Sequence, residues 1–269
     1  MTIYYFSGTG NSYFVSKIIA QKINENVQIV PIGYAYKNAL FNTNEESIGF
    51  IYPSYAYGLP KIVRQFVKKL NIKCAEYVFS IVTYGSKPGS VHGGLNRLLK
   101  KKKIKLNYAA GIKSVENFVP MFKMADEEKT KILIEHTENA AGEIAEDIKN
   151  RVQNKFKIRF ILMPLISGIF NVFATKLLPK FFRVKGCNAC GLCKRVCPMF
   201  NIDIIKNKPK FKRNCNVCTA CMQACPKKAI RLLRATKNSK RYFNSKVDFA
   251  ELNKITDFCK AEEINELAG

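Results

Sequence analysis

The sequence lacks several features that mark common classes of protein. It has no tryptophan and only two histidines, His92 and His136, so little in it favours a histidine-based catalytic site. We expect no signal peptide, and ten cysteines, eight of them in a spacing typical of metal ligands, predict a reducing cytoplasm, where disulfides are rare. The uncharged stretch 160–175 is interrupted by Pro164 and Gly168, and it is shorter than the roughly 20 apolar residues that span a bilayer. We therefore predict a cytoplasmic protein with no transmembrane span and leave peripheral membrane contact open.

Acidic residues are also scarce. The chain has 20 Asp or Glu against 45 Lys or Arg, which gives a net charge of +25. Such a charge permits binding to nucleic acid, to an anionic membrane or to an acidic partner. The basic residues are scattered from Lys17 to Lys260, which favours a lysine-rich solvated surface over a nucleic-acid site. With 269 residues, 47% of them hydrophobic, the chain is long enough for two packed domains.

Eight of the ten cysteines form a repeat. A C-x2-C-x2-C-x3-C-P run, which is a bacterial iron–sulfur ligand pattern, occurs twice with an offset of 28 positions. In this pattern the fourth cysteine of each run ligates the other cluster. We therefore predict two [4Fe-4S] clusters with crossed ligands. Cluster one takes Cys187, Cys190, Cys193 and Cys225, and cluster two takes Cys215, Cys218, Cys221 and Cys197.

A pair of zinc sites is the alternative for these cysteines. Zinc sites usually combine two C-x2-C units across a longer spacer, whereas here three cysteines follow one another at three-residue steps. The two cysteines outside the repeat, Cys74 and Cys259, have no nearby histidine or other activating group, so a structural role is favoured for them.

Residues 186–234 resemble a bacterial two-cluster ferredoxin, including Ala229-Ile230 after the second Cys-Pro pair. The resemblance implies a small α+β domain that transfers single electrons at low potential. Ferredoxins are commonly acidic, whereas this segment is basic, and positive charge favours the reduced form of a cluster. This difference in charge from common ferredoxins affects both the reduction potential of the clusters and the kind of redox partner to be expected. The basic residues near the cysteines are Lys194, Arg195, Lys206, Lys208, Lys210, Lys212, Arg213, Lys227 and Lys228.

The first 150 residues alternate between apolar strands and amphipathic helices. Predicted strands cover 2–6, 27–31, 47–52, 77–83 and 106–112, and predicted helices cover 11–22, 61–70, 91–101 and 126–149. This alternation predicts a doubly wound α/β domain with a parallel five-stranded sheet.

A loop of glycines and polar residues, Ser7-Gly8-Thr9-Gly10-Asn11-Ser12, joins the first strand to the first helix. A helix N-terminus offers free N–H groups and a positive dipole, and glycines let the backbone approach a phosphate. The loop lacks the Gly-Lys-Ser/Thr ending of a P-loop and is not a G-x-G-x-x-G fingerprint. It resembles the flavodoxin phosphate loop, T-x-T-G-N-T, with serine at both outer positions, which implies that it holds the phosphate of FMN. An ordinary capped turn is the alternative.

Two further loops are predicted to meet this one at the carboxyl edge of the sheet, where open α/β sheets bind ligands. They carry Tyr55, Tyr57 and Tyr84, which are candidate neighbours for the flavin ring in place of the tryptophan that flavodoxins often use. Each tyrosine alone is equally consistent with a loop or core residue. The predicted FMN-binding residues are Ser7, Gly8, Thr9, Gly10, Asn11, Ser12, Pro53, Ser54, Tyr55, Tyr57, Gly58, Thr83, Tyr84 and Gly85.

The whole chain resembles the flavodoxin–ferredoxin fusion ferrodoxin family. The resemblance implies a flavodoxin-like FMN domain over 1–150, an apolar connecting segment over 151–185, a ferredoxin domain over 186–234 and a C-terminal extension over 235–269. The loop 116–120 is expected to cover the flavin or to face the ferredoxin domain.

The implied function is electron transfer. FMN would lie within reach of one cluster, and the second cluster would extend the path to the surface and to a redox protein or a small electron acceptor. One alternative is an FMN-dependent reductase of a small organic substrate, supplied by its own clusters. A nucleic-acid-binding iron–sulfur protein is the third and least favoured hypothesis.

Overall fold

The structure of the protein is a computed structural model that describes residues 1–23, 26–155, 173–232 and 238–258. The central part of the predicted connecting segment, 156–172, therefore lies outside the described residues, as does Cys259. Within the described ranges, no helix combines the length and the apolar character that crossing a membrane requires.

A six-stranded sheet forms the centre of the N-terminal part. Its strands are β1 (Thr2–Tyr5), β2 (Val27–Pro31), β4 (Ser47–Pro53), β6 (Tyr77–Tyr84), β7 (Tyr108–Lys113) and β12 (Thr256–Phe258), and the short strands β3 (Asn42–Thr43) and β5 (Asn71–Ile72) pair separately. The order is β12-β2-β1-β4-β6-β7. Five of these strands are parallel, in the 2-1-3-4-5 order of flavodoxin-like folds, and β12 is antiparallel to β2.

The predicted count of five strands was one short. The sixth strand, β12, comes from the C-terminal extension and completes the edge of the sheet beside β2. Residues 249–253 of the same extension form turns. A strand of three residues is too short to show a hydrophobic period in the sequence. Its position is set by pairing with a distant strand, which the local sequence does not show.

Helices cover both faces of the sheet. They are α1 (Asn11–Ile23), α2 (Ile32–Lys37), α3 (Lys61–Lys69), α4 (Val91–Lys100) and α5 (Glu127–Lys149). Side chains of strand β1 alternate between the two cores. Ile3 and Tyr5 pack into the core with α1 and α5, whereas Tyr4, and Phe6 just after the strand, pack into the core with α3 and α4. Successive side chains of a strand point to opposite faces, so a strand buried on both sides is apolar throughout.

The cysteine-rich part forms two short antiparallel sheets and two short helices. Its elements are a 3-10 helix (Leu178–Phe181), β8 (Phe182–Val184), α6 (Leu192–Arg195), β9 (Ile202–Ile205), β10 (Lys208–Phe211), α7 (Ala220–Gln223) and β11 (Ile230–Leu232). Strand β9 pairs with β10, and β8 pairs with β11. Helices α6 and α7 begin 28 residues apart, so the sequence repeat is also a structural repeat.

The cysteine-rich part shares a hydrophobic core with the sheet domain. Met199, Ile202, Met222 and Ile230 belong to the same buried cluster as the face covered by α3 and α4. The Asn216 Oδ1 atom accepts a hydrogen bond of 3.0 Å from the backbone N–H of Ile62 in the first turn of α3. The two parts are therefore packed together and not merely linked.

The C-terminal segment, residues 240–258, ties the two parts together. The Asn244 N–H donates to the carbonyl of Thr9 at 2.9 Å, and the Tyr242 N–H donates to Oε1 of Gln223 at 3.0 Å. The Asn253 side chain donates to the carbonyl of Arg195 at 3.0 Å. One short stretch of chain thus contacts the first loop of the sheet domain and both helices of the cysteine-rich part.

Candidate functional site

A cavity of about 260 Å³ lies at the carboxyl ends of β1, β4 and β6. It occupies the topological switch point of the sheet, because the chain leaves β1 toward β2 on one side and β4 lies on the other. Open α/β sheets bind ligands at this position. The volume is close to the lower bound of about 300 Å³ for clefts that bind small molecules.

Twelve of the fourteen predicted cofactor-binding residues line this cavity, and Gly10 and Gly58 do not. The lining residues from the prediction are Ser7, Gly8, Thr9, Asn11, Ser12, Pro53, Ser54, Tyr55, Tyr57, Thr83, Tyr84 and Gly85. They come from three loops that are far apart in the sequence, and the parallel sheet brings the loops to one edge.

The first loop is held by a backbone hydrogen bond at the start of α1 and by a hydroxyl contact with β6. The Phe14 N–H donates to the carbonyl of Gly10 at 2.8 Å, which starts α1, and the hydroxyls of Ser12 and Thr83 are 2.9 Å apart. Gly10 has φ +93°, a conformation that favours glycine, and a Cβ atom built on it would lie 3.0 Å from Cβ of Asn244. An added side chain at Gly10 would therefore meet the C-terminal segment, and the predicted role of the Gly10 backbone at a phosphate stays a prediction.

The second loop places two tyrosines by a tight turn. Tyr55 and Gly58 exchange backbone hydrogen bonds of 3.0 and 2.9 Å, and the two residues between them, Ala56 and Tyr57, have φ values of 45° and 62°. Two adjacent residues with positive φ are the signature of a type I′ turn. Gly58 serves this turn and does not reach the cavity. Burial raises the pKa of Tyr55, so its hydroxyl stays protonated at neutral pH.

Part of the lining lies outside the fourteen predicted residues. Glu116, Asn117 and Phe118 line the cavity, as do Met121 and Phe122 at its mouth. The Oε1 atom of Glu116 accepts the N–H groups of Asn117 and Phe118 at 3.0 and 3.1 Å, which shapes the loop. The loop 116–120 had been expected to cover a flavin or to face the cysteine-rich part; it lines the cavity, and the Asn117 carbonyl accepts a hydrogen bond from the Gln223 side chain of the cysteine-rich part.

The second cysteine run forms one wall of the cavity. Asn216, Val217 and Cys218 are lining residues. A Cβ atom built on Gly8 would lie 2.6 Å from the carbonyl oxygen of Cys218, which is closer than any real Cβ approaches such an atom. The loop after β1 therefore packs backbone against backbone on the loop between Cys215 and Cys221. No local sequence signal could have shown this contact, because the two loops are some 210 positions apart.

A second, smaller cavity is lined by Cys197, Cys215, Cys218 and Cys221. These are the four cysteines that the crossed-ligand pattern assigns to cluster two. Two buried polar groups also belong to its lining residues, the Nδ2 atom of Asn216 and the Oγ1 atom of Thr219. Neither atom has a hydrogen-bond partner in the part of the chain that the structure describes.

The other four cysteines form a group nearer to the surface. Burial, together with the neighbouring Cys187, Cys190 and Cys225, raises the pKa of Cys193 to about 11. Cys190 is exposed, and Cys187 and Cys225 are half-buried. A thiol with so high a pKa is not ionised unaided at neutral pH, but a coordinating metal deprotonates it.

The backbone around the cysteines repeats with the same offset of 28. The N–H of Ala189 donates to Sγ of Cys187 at 3.3 Å, and the N–H of Val217 donates to Sγ of Cys215 at the same distance. Ala189 and Val217 both have positive φ values, 59° and 54°. Left-handed backbone at a non-glycine residue is strained, and such strain concentrates at functional sites.

The fourth cysteines repeat in the same way. Sγ of Cys197 accepts the N–H of Asn201 at 3.4 Å, and Sγ of Cys225 accepts the N–H of Ala229 at 3.3 Å. Backbone N–H groups directed at sulfur stabilise a bound thiolate. Each run therefore presents its first and fourth sulfurs to the same kind of backbone N–H donor.

No group of three or more His, Cys, Asp or Glu side chains converges on a single ion position in residues 1–23, 26–155, 173–232 and 238–258. Four ligands that share one zinc ion would each lie about 2.0–2.3 Å from it. A four-iron cluster binds each cysteine through a different iron, so its ligands are spread more widely.

Comparisons with known proteins add little to this geometry. None of the protein-family models and none of the curated proteins compared with the chain matches it. Solved structures do match, among them a candidate flavoprotein from Bacteroides uniformis ATCC 8492, with 15% identity and a TM-score of 0.32 over 50% of this chain and 97% of that one.

Two further matches are of the same strength. Rubredoxin:oxygen oxidoreductase from the anaerobe Desulfovibrio gigas is 14% identical with a TM-score of 0.36, over 56% of this chain and 36% of that one. The Trp repressor binding protein from Bacillus subtilis is 9% identical with a TM-score of 0.34, over 53% and 96%. Similarities this weak carry no functional weight, and the flavodoxin-like strand order rests on the sheet itself.

Proposed function

We propose that the protein is an electron-transfer flavo-iron–sulfur protein that binds FMN and two [4Fe-4S] clusters. The observation that carries the proposal is the position of Cys218, which lines both the large cavity at the sheet edge and the small cavity among four cysteines. Cys218 and its neighbour Asn216 thus belong to both candidate cofactor sites, so the two sites are adjacent.

The residues of the large cavity fit FMN. The first turn of α1 contributes Asn11 and Ser12 to the lining, and a helix N-terminus has free N–H groups that favour a phosphate. Tyr55, Tyr57 and Tyr84 supply apolar ring faces at the same cavity. When bound there, FMN supplies redox chemistry in steps of one or two electrons.

The residues of the cysteine-rich part fit two four-iron clusters. Cys197, Cys215, Cys218 and Cys221 surround one cavity, and Cys187, Cys190 and Cys225 surround Cys193. Each group therefore takes three cysteines from one run and the fourth from the other, as the sequence pattern predicts. When bound, each cluster supplies one-electron chemistry.

The burial of the cysteines gives the path a direction in space. Cys190 of the first group is exposed, whereas Cys197 and Cys221 of the second group are buried. Cys190 is the one exposed cysteine among the eight, so in this proposal cluster one lies nearer to the surface than cluster two. Electrons exchanged with a partner would pass through cluster one and cluster two in turn.

The test is an anaerobic preparation of the full chain with quantified flavin and iron, followed by a redox titration monitored by electron paramagnetic resonance. We expect one FMN and about eight irons per chain, in keeping with two four-iron clusters. Cys74→Ser is the matched control, because Cys74 lies outside both groups, and it should leave the iron content unchanged. A chain that holds no FMN, or about one iron per cysteine group, after reconstitution would refute the proposal.

A second function is favoured by two charged residues in the large cavity. Lys87 and Glu116 both line it, and they give the site a cation and a carboxylate that could position a small organic substrate beside FMN. The protein would then be an FMN-dependent reductase supplied by its own clusters. The test is anaerobic reoxidation of the reduced protein by a panel of small unsaturated acids and quinones. A reductase predicts that at least one of these compounds reoxidises the protein at a rate that depends on Glu116. Simple electron transfer predicts no such dependence for any of them.

A further inference from the structure

The positive charge of the chain is concentrated in the cysteine-rich part. Residues 180–232 contain 13 Lys or Arg and one acidic residue, Asp203, which is a net charge of +12. Residues 1–155 contain 22 Lys or Arg and 13 Asp or Glu, a net charge of +9 over nearly three times the length. The single acidic residue is already engaged, since Oδ2 of Asp203 lies 2.9 Å from Nζ of Lys212. A general lysine bias of the whole chain does not account for this difference.

Basic residues flank the cluster-one cysteines in the sequence. Lys185 precedes Cys187 by two residues, Lys194 and Arg195 follow Cys193 directly, and Lys227 follows Cys225 by two. All four of these basic residues are exposed. The Lys185 N–H donates to the carbonyl of Ala229 at 3.1 Å, which holds the start of the first run beside the end of the second. The basic residues therefore flank the cluster-one ligands along the chain, and we call the five-residue set Lys185, Lys194, Arg195, Lys227 and Lys228 the basic collar.

We propose that the basic collar is the docking surface for an acidic one-electron carrier protein. The inference rests on the proposed electron-transfer function and names the partner class that exchanges electrons with cluster one. A carrier with an acidic face would be attracted over distance and oriented with its own redox centre toward Cys187 and Cys190. Electrostatic steering of this kind raises association rates by about 10- to 1,000-fold at low ionic strength and acts less on equilibrium affinity.

A protein partner fits the collar better than a nucleic acid. Sites for single-stranded nucleic acid combine positive charge with aromatic side chains on which bases stack. Among the described residues 180–232, Phe181 is the one aromatic side chain with more than a third of its surface exposed. The collar instead has half-buried sulfur ligands at its centre, where a redox partner must come close.

The test is stopped-flow mixing of the anaerobic full chain with a reduced acidic two-cluster ferredoxin, with the flavin absorbance of the chain as the signal. We expect the second-order rate constant to fall by about tenfold or more as the salt concentration rises from 20 mM to 500 mM, because the screening length between exposed charges falls from roughly 20 Å to about 4 Å over that range. A rate constant that does not change with salt would overturn the docking proposal.

Charge reversal locates the surface. Lys185→Glu combined with Lys227→Glu should reduce the rate constant at low salt by about tenfold or more and flatten its salt dependence. Lys129→Glu combined with Lys131→Glu is the control, since it changes the net charge equally on α5, which packs against α1 and β7 away from the collar. Equal rates for the two double variants would overturn the proposal.

Two measurements on the same samples separate the possible failures. Iron and flavin contents come first: if they are absent, the proposed function fails, whereas intact cofactors with a salt-independent rate remove only the docking surface. Binding to an unlabelled RNA or DNA duplex is measured in parallel. One result would assign the collar to nucleic acid and overturn the proposal. In that result, nucleic-acid binding depends steeply on salt and is lost with Lys185→Glu and Lys227→Glu, while the rate constant for electron transfer from the ferredoxin is unchanged.

Discussion

Gly8 packs against the backbone of Cys218, so closely that a Cβ atom on Gly8 would lie 2.6 Å from the Cys218 carbonyl oxygen. The loop that follows the first strand and the second cysteine run therefore meet without an intervening side chain. This contact explains why Gly8 is glycine, although its φ is not positive. It also couples the two candidate cofactor sites, because a shift of either loop displaces the other.

Gly8→Ala is predicted to damage both sites. The added methyl group must push the Cys218 carbonyl away, since backbone cannot yield as a flexible side chain can. We expect a loss of about 1–3 kcal/mol of stability, a lower flavin content and an altered spectrum of cluster two, measured by denaturation, flavin assay and electron paramagnetic resonance.

Gly94→Ala is the control for this substitution. Gly94 lies in α4, and its added Cβ would be 3.5 Å from Leu59, an ordinary contact. Because alanine favours a helix by roughly 0.8–1 kcal/mol over glycine, this variant should keep both cofactors and be no less stable. If Gly8→Ala retained flavin and an unchanged cluster spectrum, the tight contact would not matter to either site.

Cys197→Ala and Cys225→Ala are each predicted to affect the cluster that is bound by the first three cysteines of the other run. Cys197 lines the cavity formed by Cys215, Cys218 and Cys221, so its loss should perturb cluster two, and Cys225→Ala should perturb cluster one. Iron content and the spin-coupled resonance of the reduced protein distinguish the clusters. A Cys197→Ala variant in which cluster one is lost and cluster two is intact would show that the ligands are not crossed.

Much of the sheet domain could be predicted because its signals are local. The strand 47–52 was predicted within one residue of β4, Ser47–Pro53, since an apolar run bounded by turn residues is visible in the sequence. The three loops at the sheet edge followed from the parallel topology alone. The grouping of Cys197 with the second run was likewise available, because it depends on spacing and not on the fold.

The remaining parts of the site depend on contacts between distant segments. Asn216 is an ordinary residue in the sequence, but its side chain binds the start of α3 and lines both cavities. Asn244 and Tyr242 lie in a polar extension with no motif, yet they bind the first loop and α7. A hydrogen bond across more than 200 positions leaves no periodic pattern, so only the packed structure shows it.

His92 is predicted to make the protein less stable in mild acid. Its Nδ1 atom lies 3.0 Å from the hydroxyl of Ser80, and burial lowers its pKa from the ordinary 6.5 to about 4. Between pH 6.5 and 4 the unfolded chain binds a proton that the folded chain does not, so stability is full above pH 6.5 and is lost as the pH falls toward 4. The loss is about 3 kcal/mol at most.

His92→Gln tests this prediction. The glutamine keeps a polar side chain but does not titrate, so the difference in melting temperature between pH 7 and pH 4.5 should shrink. The control is His136→Gln on the surface of α5, which should leave that difference as it is in the wild type. An equally acid-sensitive His92→Gln variant would place the origin of the acid sensitivity elsewhere.

Thr219 is predicted to raise the reduction potential of cluster two. Its Oγ1 atom is buried, lines the cavity of Cys197, Cys215, Cys218 and Cys221, and has no hydrogen-bond partner among the residues described. A buried hydroxyl without a partner is costly, and a cluster in that cavity would offer it sulfur acceptors. Because reduction makes a cluster more negative, a donated hydrogen bond stabilises the reduced form and raises the potential.

Thr219→Val removes this donor while keeping the shape of the side chain. One hydrogen bond contributes roughly 1 kcal/mol, which corresponds to about 40 mV for a one-electron couple, so the potential of cluster two should fall by about that amount. Thr219→Ser keeps the hydroxyl and should leave the potential unchanged. The position offset by 28 is Gly191, which has no hydroxyl, so cluster one should keep its potential in both variants. A redox titration in which Thr219→Val leaves cluster two unchanged, or shifts both clusters equally, would show that this hydroxyl does not act on cluster two.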